Sequence, residues 1–195
     1  MRPSLVLLAG PNGAGKSTLF KERVEPVFKG SFVNADIIQR EELQDPSVEA
    51  SYEAAQIAQA RRDEMFETRS SFATETVFSH PSKLDIISKA KVLGYLVVVM
   101  HVGVENPDIS VARVRRRTEE GGHDVPDDKI RTRYDRCRPL IRQAVLMADR
   151  GMVFDNSKLN DPPRPMLVFA SGRLSFVEPH LPAWILQNYA RDLKI

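Results

Sequence analysis

Along the chain, short apolar runs alternate with longer stretches in which apolar residues recur every three or four positions. The first pattern marks strands buried on both faces, the second the helices that cover them. Leu5–Ala9 reads as a short buried strand, and Gly15 to about Val27 has helical spacing. Ser31–Asn34 reads as a second strand, Ser47–Arg69 as a long helix and Ser71–Thr76 as a third strand. A helix follows from Pro81, a residue suited to a first helical turn, to about Leu93. Tyr95–Val102 (YLVVVMHV) is rich in β-branched residues and belongs in the sheet centre. Pro107–Thr118 and Asp127–Arg150 read as helices flanking a polar Gly-Gly-His turn, and Gly151–Asp155 as a fifth strand. Beyond a proline-rich loop, Met166–Ala170 and Leu174–Val177 form a hairpin turning at Ser171-Gly172, and a last helix covers roughly Pro182–Asp192. This order predicts an α/β fold: a mostly parallel five-stranded sheet with helices on both faces and a small C-terminal hairpin. With no repeat, low-complexity tract or linker, the 195 residues read as a single domain.

Composition narrows the class. Hydrophobic residues make up 42% and charged residues 28%, the balance of a globular protein rather than a disordered or collagen-like one. Cys137 is the single cysteine, so no intramolecular disulfide can form and a reducing compartment is expected. No apolar run reaches the roughly 20 residues of a membrane helix, and a signal peptide would need a longer apolar region than the opening strand offers. The expectation is a cytoplasmic protein without a membrane partner. Net charge is only +2, but ten basic residues fall between Arg113 and Arg142 against six acidic ones. Such a stripe attracts phosphorylated small molecules or nucleic acid. A groove for single-stranded nucleic acid would interleave aromatics for stacking, and only Tyr134 lies in the stripe, which weakens that reading.

The sharpest chemical signal is Gly10-Pro-Asn-Gly-Ala-Gly15-Lys16-Ser17-Thr18, a G-x-x-x-x-G-K-[ST] loop between a strand and a helix. Gly10, Gly13 and Gly15, with Asn12 and Ala14 between them, let successive backbone N–H groups point into one concavity at a helix N-terminus. Lys16 can reach the β- and γ-phosphates of a nucleotide, and the Ser17 hydroxyl can ligate Mg²⁺. Such a match arises by accident in about one chain of this length in a hundred.

The guanine-reading Asn-Lys-x-Asp of a GTPase is absent, and the strand Met152-Val-Phe-Asp155 continues as Asn156-Ser157 without the second acid of a mechanical ATPase. A small-molecule kinase needs a carboxylate near the acceptor hydroxyl and arginines that neutralise the transferring group. Asp36, just past the second strand, faces the ligand crevice of a parallel sheet or else caps the segment that follows. Glu75, ending the third strand, holds the acceptor or a metal-bound water, or is a solvated strand-end charge. The arginines around Gly121-Gly122-His123 suggest a lid over about 113–136, with Arg113 and Arg117 on one helical face and Arg131 and Arg133 opening the next helix.

Together these pieces resemble the zeta toxin family of P-loop kinases, in its shorter chromosomal branch. The resemblance rests on AGPNGAGKST (9–18), FVNAD (32–36), FATET (72–76), GY and the strand after it (94–102), RVRRRTEEGGHDVP (113–126), IRTRY (130–134) and FDNS (154–157). It implies a three-layer, nucleotide-kinase-like P-loop NTPase fold, ATP and Mg²⁺ as cofactors, and phosphorylation of a sugar hydroxyl in UDP-N-acetylglucosamine. By position it makes Asp36 the base or orienting carboxylate, with Glu75 and its neighbour Thr76 as substrate contacts; His123, read from the turn itself, is a substrate contact or else a residue that only caps or packs. Arg117 and either Arg131 or Arg133 become the γ-phosphate arginines, and Asn156 a neighbour of the nucleotide base. An antitoxin protein is compatible with the resemblance. The chain is shorter than the plasmid-borne toxins and its lid differs from theirs. A kinase of another hydroxylated metabolite or of a nucleic-acid end, and an ATP-gated module without turnover, are the other readings.

Overall fold

The structure, a computed structural model, describes residues 2–119 and 125–193. Its strands are β1 (Ser4–Ala9), β2 (Ser31–Val33), β3 (Phe72–Thr76), β4 (Leu96–Gly103), β5 (Arg150–Asp155), β6 (Arg164–Ala170) and β7 (Arg173–Val177). They form one sheet in the order β2-β3-β1-β4-β5-β6-β7. The first five are parallel, as the alternation requires, while β6 and β7 add antiparallel to β5. The C-terminal hairpin therefore extends the main sheet from five strands to seven. Its in-sheet residues Met166, Leu167 and Phe169 are buried, which fastens it there.

The helices are α1 (Lys16–Leu19), α2 (Ala35–Ile37), α3 (Val48–Glu67), α4 (Leu84–Val92), α5 (Pro107–Glu119), α6 (Asp127–Met147) and α7 (Ala183–Leu193). α1 and α2 each run on into a wider π-type turn, Phe20–Val24 and Ile38–Leu43. The second of these segments follows directly on the capped turn of α2. It is helical because Asn34 caps it: the Asn34 side chain accepts from Asp36 N at 2.8 Å and from Ile37 N at 3.4 Å. The capping role considered for Asp36 thus falls to Asn34, and Asp36 stands exposed in the first turn. The helix expected to run to Arg150 stops at Met147, and Arg150 already opens β5.

Strand residues alternate between two cores, which makes the molecule three-layered. Leu5, Leu7, Val97, Val99 and Val153 pack with α3, α4, α6 and α7 on one face, while Val6, Leu8, Val102 and Phe154 pack with α1 on the other. In the larger core Phe66, Phe72 and Tyr95 meet edge to face. Truncating a ring there costs about 3–5 kcal/mol, the usual scale for an aromatic core residue. β1 lies between β3 and β4, so the winding reverses at its C-terminal end. Parallel sheets bind ligands at such a reversal.

Candidate active site

Three strand ends converge on that crevice. Register places Leu8 beside Glu75 and Ala9 beside both Thr76 and His101, and Gly10 N donates to Thr76 O at 3.4 Å. The chain then turns through the glycine loop into α1. A Cβ on Gly10 would lie 2.2 Å from the Val102 carbonyl oxygen, so the neighbouring strand forces glycine there. Gly15 has φ +94, and a Cβ on it would meet Asn156 Nδ2 at 2.2 Å. Asn156 is buried and donates from Nδ2 to Ala14 O at 2.8 Å, while its backbone N donates to Gly103 O at 2.8 Å. It braces the loop from beneath. Lys16 is buried, and its Nζ donates to Gly10 O and Pro11 O at 3.2 Å each, across the concavity.

Asp155 anchors this brace to the C-terminus. Its Oδ1 accepts from Ser157 Oγ at 2.5 Å and from Trp184 Nε1 at 2.8 Å, and Ser157 Oγ accepts from Glu105 N at 2.9 Å. Trp184 also covers Gly103, whose absent Cβ would sit 2.3 Å from the indole. Tyr189, on the same helix, meets His101 Nδ1 at 2.8 Å, and burial depresses the imidazole to about 3, so it stays neutral.

Glu75 faces the loop across the crevice, and Ser17 Oγ donates to its Oε2 at 3.1 Å. Its carboxyl is raised by burial, against the pull of the Lys16 ammonium, and the charge of Asp36 raises it further. Ser17 and the Asn34 amide favour its charged form; the Asn34 Nδ2 is buried without meeting full hydrogen-bond geometry to any partner. Lys16, Ser17, Asp36 and Glu75 therefore share one site. Thr76 stands next to them, but its hydroxyl accepts from Phe78 N at 3.2 Å and secures a turn in which buried Phe78 adopts φ +61. The Ser17 hydroxyl and the Glu75 carboxylate are hard oxygen donors of the kind Mg²⁺ selects, with the Asp36 charge close by, so these residues fit that ion.

The arginine stripe divides. Arg133, half-buried, donates from Nη1 to Asn12 Oδ1 of the loop at 3.3 Å. Arg131 is exposed and pairs with Asp108 at 2.6 Å. Arg115 pairs with Asp127, and Arg142 with Asp192 at 2.6 Å. Tyr134 is buried and donates to Val104 O and Glu105 O, so its ring offers no stacking platform. Arg117 is half-buried on α5. His123 and the Gly-Gly turn lie outside the described residues. Sequence reasoning set Arg113 beside Arg117 on one face of the lid without a role at the nucleotide; it lines a cleft of about 500 Å³ beside Gly15, Thr18, Asn156 and Lys158. Burial lowers its guanidinium and the Asp155 charge offsets this in part.

The sequence model described as Zeta toxin matches residues 1–160, which carry the glycine loop, Asp36, Glu75, the arginines and Asn156. The chain belongs to the zeta toxin family. Among solved structures, a chain of the PezAT chromosomal toxin–antitoxin system of Streptococcus pneumoniae superposes with a TM-score of 0.63 at 16% identity, over 96% of this chain and 78% of that one. A chain of the AvrRxo1-ORF1:AvrRxo1-ORF2 complex with ATP gives 0.71 at 17% identity, over 98% of this chain and 63% of that one. This family member thus spans somewhat under two thirds of the AvrRxo1 chain. An uncharacterized protein of Haemophilus influenzae is 26% identical over 137 residues, 69% of this chain and 94% of that protein. The structural likenesses speak for a shared P-loop fold, and function rests on the site itself. Among the described residues no helix is long and apolar enough to cross a membrane, and no cluster of three His, Cys, Asp or Glu side chains could hold a metal alone.

Proposed function

We propose that this zeta toxin family member is an ATP-dependent kinase that transfers the γ-phosphoryl group to a hydroxyl of a nucleotide sugar, with UDP-N-acetylglucosamine as the first acceptor to test. The observation that carries the reading is the 3.1 Å contact between Ser17 of the phosphate loop and Glu75 of β3. It sets a strand-end carboxylate directly against the glycine loop, with the Asp36 charge alongside, which supports reading Glu75 as the acceptor-binding acid.

In this reading the loop amides and Lys16 hold the β- and γ-phosphates, and the nucleoside lies in the cleft between Arg113 and Asn156. Glu75, its proton affinity raised, orients the acceptor, and Asp36 takes the proton of the acceptor hydroxyl. The acceptor oxygen bonds to the γ-phosphorus as the bond to the bridging oxygen of ADP breaks. Arg133 and Arg117 neutralise the transferring group. Mg²⁺, held through Ser17 with Glu75 nearby, supplies charge neutralisation at the phosphates when bound. The lid over about 113–136 closes the site, the protein acts in the cytoplasm, and an antitoxin is the partner that the family offers.

The test is incubation of the full chain with ATP, Mg²⁺ and a panel of hydroxylated acceptors, followed by mass spectrometry. The expected result is UDP-N-acetylglucosamine carrying one added phosphoryl group, with ADP formed in equal amount. Phosphate on a different metabolite would leave the kinase standing and remove the nucleotide sugar. With no acceptor phosphorylated, an ATP-gated binding module becomes the better description.

A further inference from the structure

α3 packs inward through residues four apart: Ala50, Ala54, Ala58, Arg62 and Phe66 are all buried. A helix face turned toward a core is ordinarily apolar. Arg62 breaks the stripe, at 8% relative exposure. Its Nη2 donates to Gln59 Oε1 at 2.7 Å, and its Nε has no hydrogen-bond partner among the described residues. The neighbouring Asp63 charge favours its cation but makes no hydrogen bond to it. Asp63 Oδ1 accepts from Lys89 Nζ at 2.7 Å, and Oδ2 from Gln59 Nε2 at 2.9 Å. A buried cation is retained where something anionic satisfies it, and no carboxylate among the described residues hydrogen-bonds or pairs with Arg62.

Arg62 lines a cleft of about 310 Å³ between α3 and α4. Lys83, at the entry to α4, lines it as well, is half-buried, and makes no ion pair among the described residues. Its ammonium is lowered by burial and by the charge of Arg62 beside it. Asp85 stands exposed at the rim and pairs with neither cation. Lys89 and Asp63 neutralise each other at 2.7 Å. Arg62 and Lys83 thus share one recess in which the Asp63 charge acts on Arg62, yet among the described residues no carboxylate pairs with either cation. None of these residues belongs to the site around the glycine loop.

We propose that this cleft is a second anion site, with Arg62 as its floor and Lys83 as its wall, and that its ligand is a compact oxyanion, a phosphate or carboxylate group. The Nε–H of Arg62 is one arm of the planar guanidinium fork, which matches two oxygens of such a group. Lys83 adds a movable point charge from the open side. The oxyanion is either free or part of a larger metabolite, the kinase acceptor included.

The experiment is a titration of the full chain with inorganic phosphate, by calorimetry and by NMR of arginine ¹⁵Nε–H groups, in the Lys16→Ala background that removes the glycine-loop site. The expected result is retained binding, a shifted Arg62 Nε–H resonance, and an affinity at least ~10-fold weaker after adding Lys83→Gln, the scale of a lost charge-assisted hydrogen bond. Lys83→Gln leaves the buried stripe intact, so loss of folding does not confuse the outcome. If Lys16→Ala binds no phosphate, or binds it equally with and without Lys83→Gln, the proposal is overturned. A higher KM for the acceptor in Lys83→Gln assigns the oxyanion to the acceptor. Weaker phosphate binding with acceptor KM unmoved assigns it to a separate ligand. The titration needs no turnover, so its failure and failure of the kinase reading remain distinct.

Discussion

The two halves of the site are held in place by different means. The donor half, Gly10 to Thr18, is held through its own backbone atoms: the Val102 carbonyl lies against Gly10, the Asn156 amide lies against Gly15 and donates to Ala14 O, and neither glycine has room for a Cβ. The acceptor half is held by side chains at strand ends. Asp36 is exposed, Glu75 is anchored chiefly by Ser17, and Arg133 touches the loop through one 3.3 Å contact. A backbone cradle binds what all nucleotides share, whereas side chains on loose supports can change partner by a few substitutions.

Substitutions can break this comparison. Lys16→Ala should have the largest effect, abolishing nucleotide binding and turnover together, since its Nζ sits where phosphate oxygens would go; titration with ATP checks it. Asp36→Asn should instead leave ATP affinity unchanged and slow turnover by at least ~10²-fold, the scale of a general base. Equal turnover in Asp36→Asn would remove that residue from the chemistry and blur the two halves. Arg133→Ala should lower kcat by roughly 10-fold or more through loss of a positioned donor, with Arg131→Ala the weaker of the pair because Arg131 is spent on Asp108. Steady-state kinetics of both variants decides which arginine serves the site. The smallest effect concerns pH. With its carboxyl raised above the ordinary 4.5, the folded chain holds that proton more tightly than the unfolded chain does. The Glu75 contribution to stability is therefore greatest below 4.5 and falls as pH rises through the raised value. Urea unfolding of Glu75→Gln beside the wild type should show the variant gaining relative stability as pH rises; parallel curves would deny the burial effect.

The parallel core and the loop were legible because their signals are local. A buried strand writes itself as consecutive apolar residues, and Gly10–Thr18 carries its geometry in residue types. What escaped depends on distant partners. Nothing near Phe32 announces that Asn34, not Asp36, takes the cap, because either residue could serve. The hairpin was visible, but its joining to β5 is decided by burial of Leu167 and Phe169 far from the turn. Arg131 and Arg133 looked alike because a two-residue offset turns one toward Asp108 and the other toward Asn12. Trp184 and Asp155 lie 29 positions apart, and no spacing rule links an indole in the last helix to a strand end.

That last pairing has a bearing on biosynthesis. Residues 1–160 carry the family match, yet the carboxylate beside Asn156 is completed by an indole at position 184. Chains emerge from the ribosome N-terminus first, so the phosphate loop is made long before the helix that finishes its support. Until α7 docks, Asp155 has Ser157 but not Trp184, and Gly103 has no cover. Order of synthesis thus sets a delay between having the loop and having it fully braced.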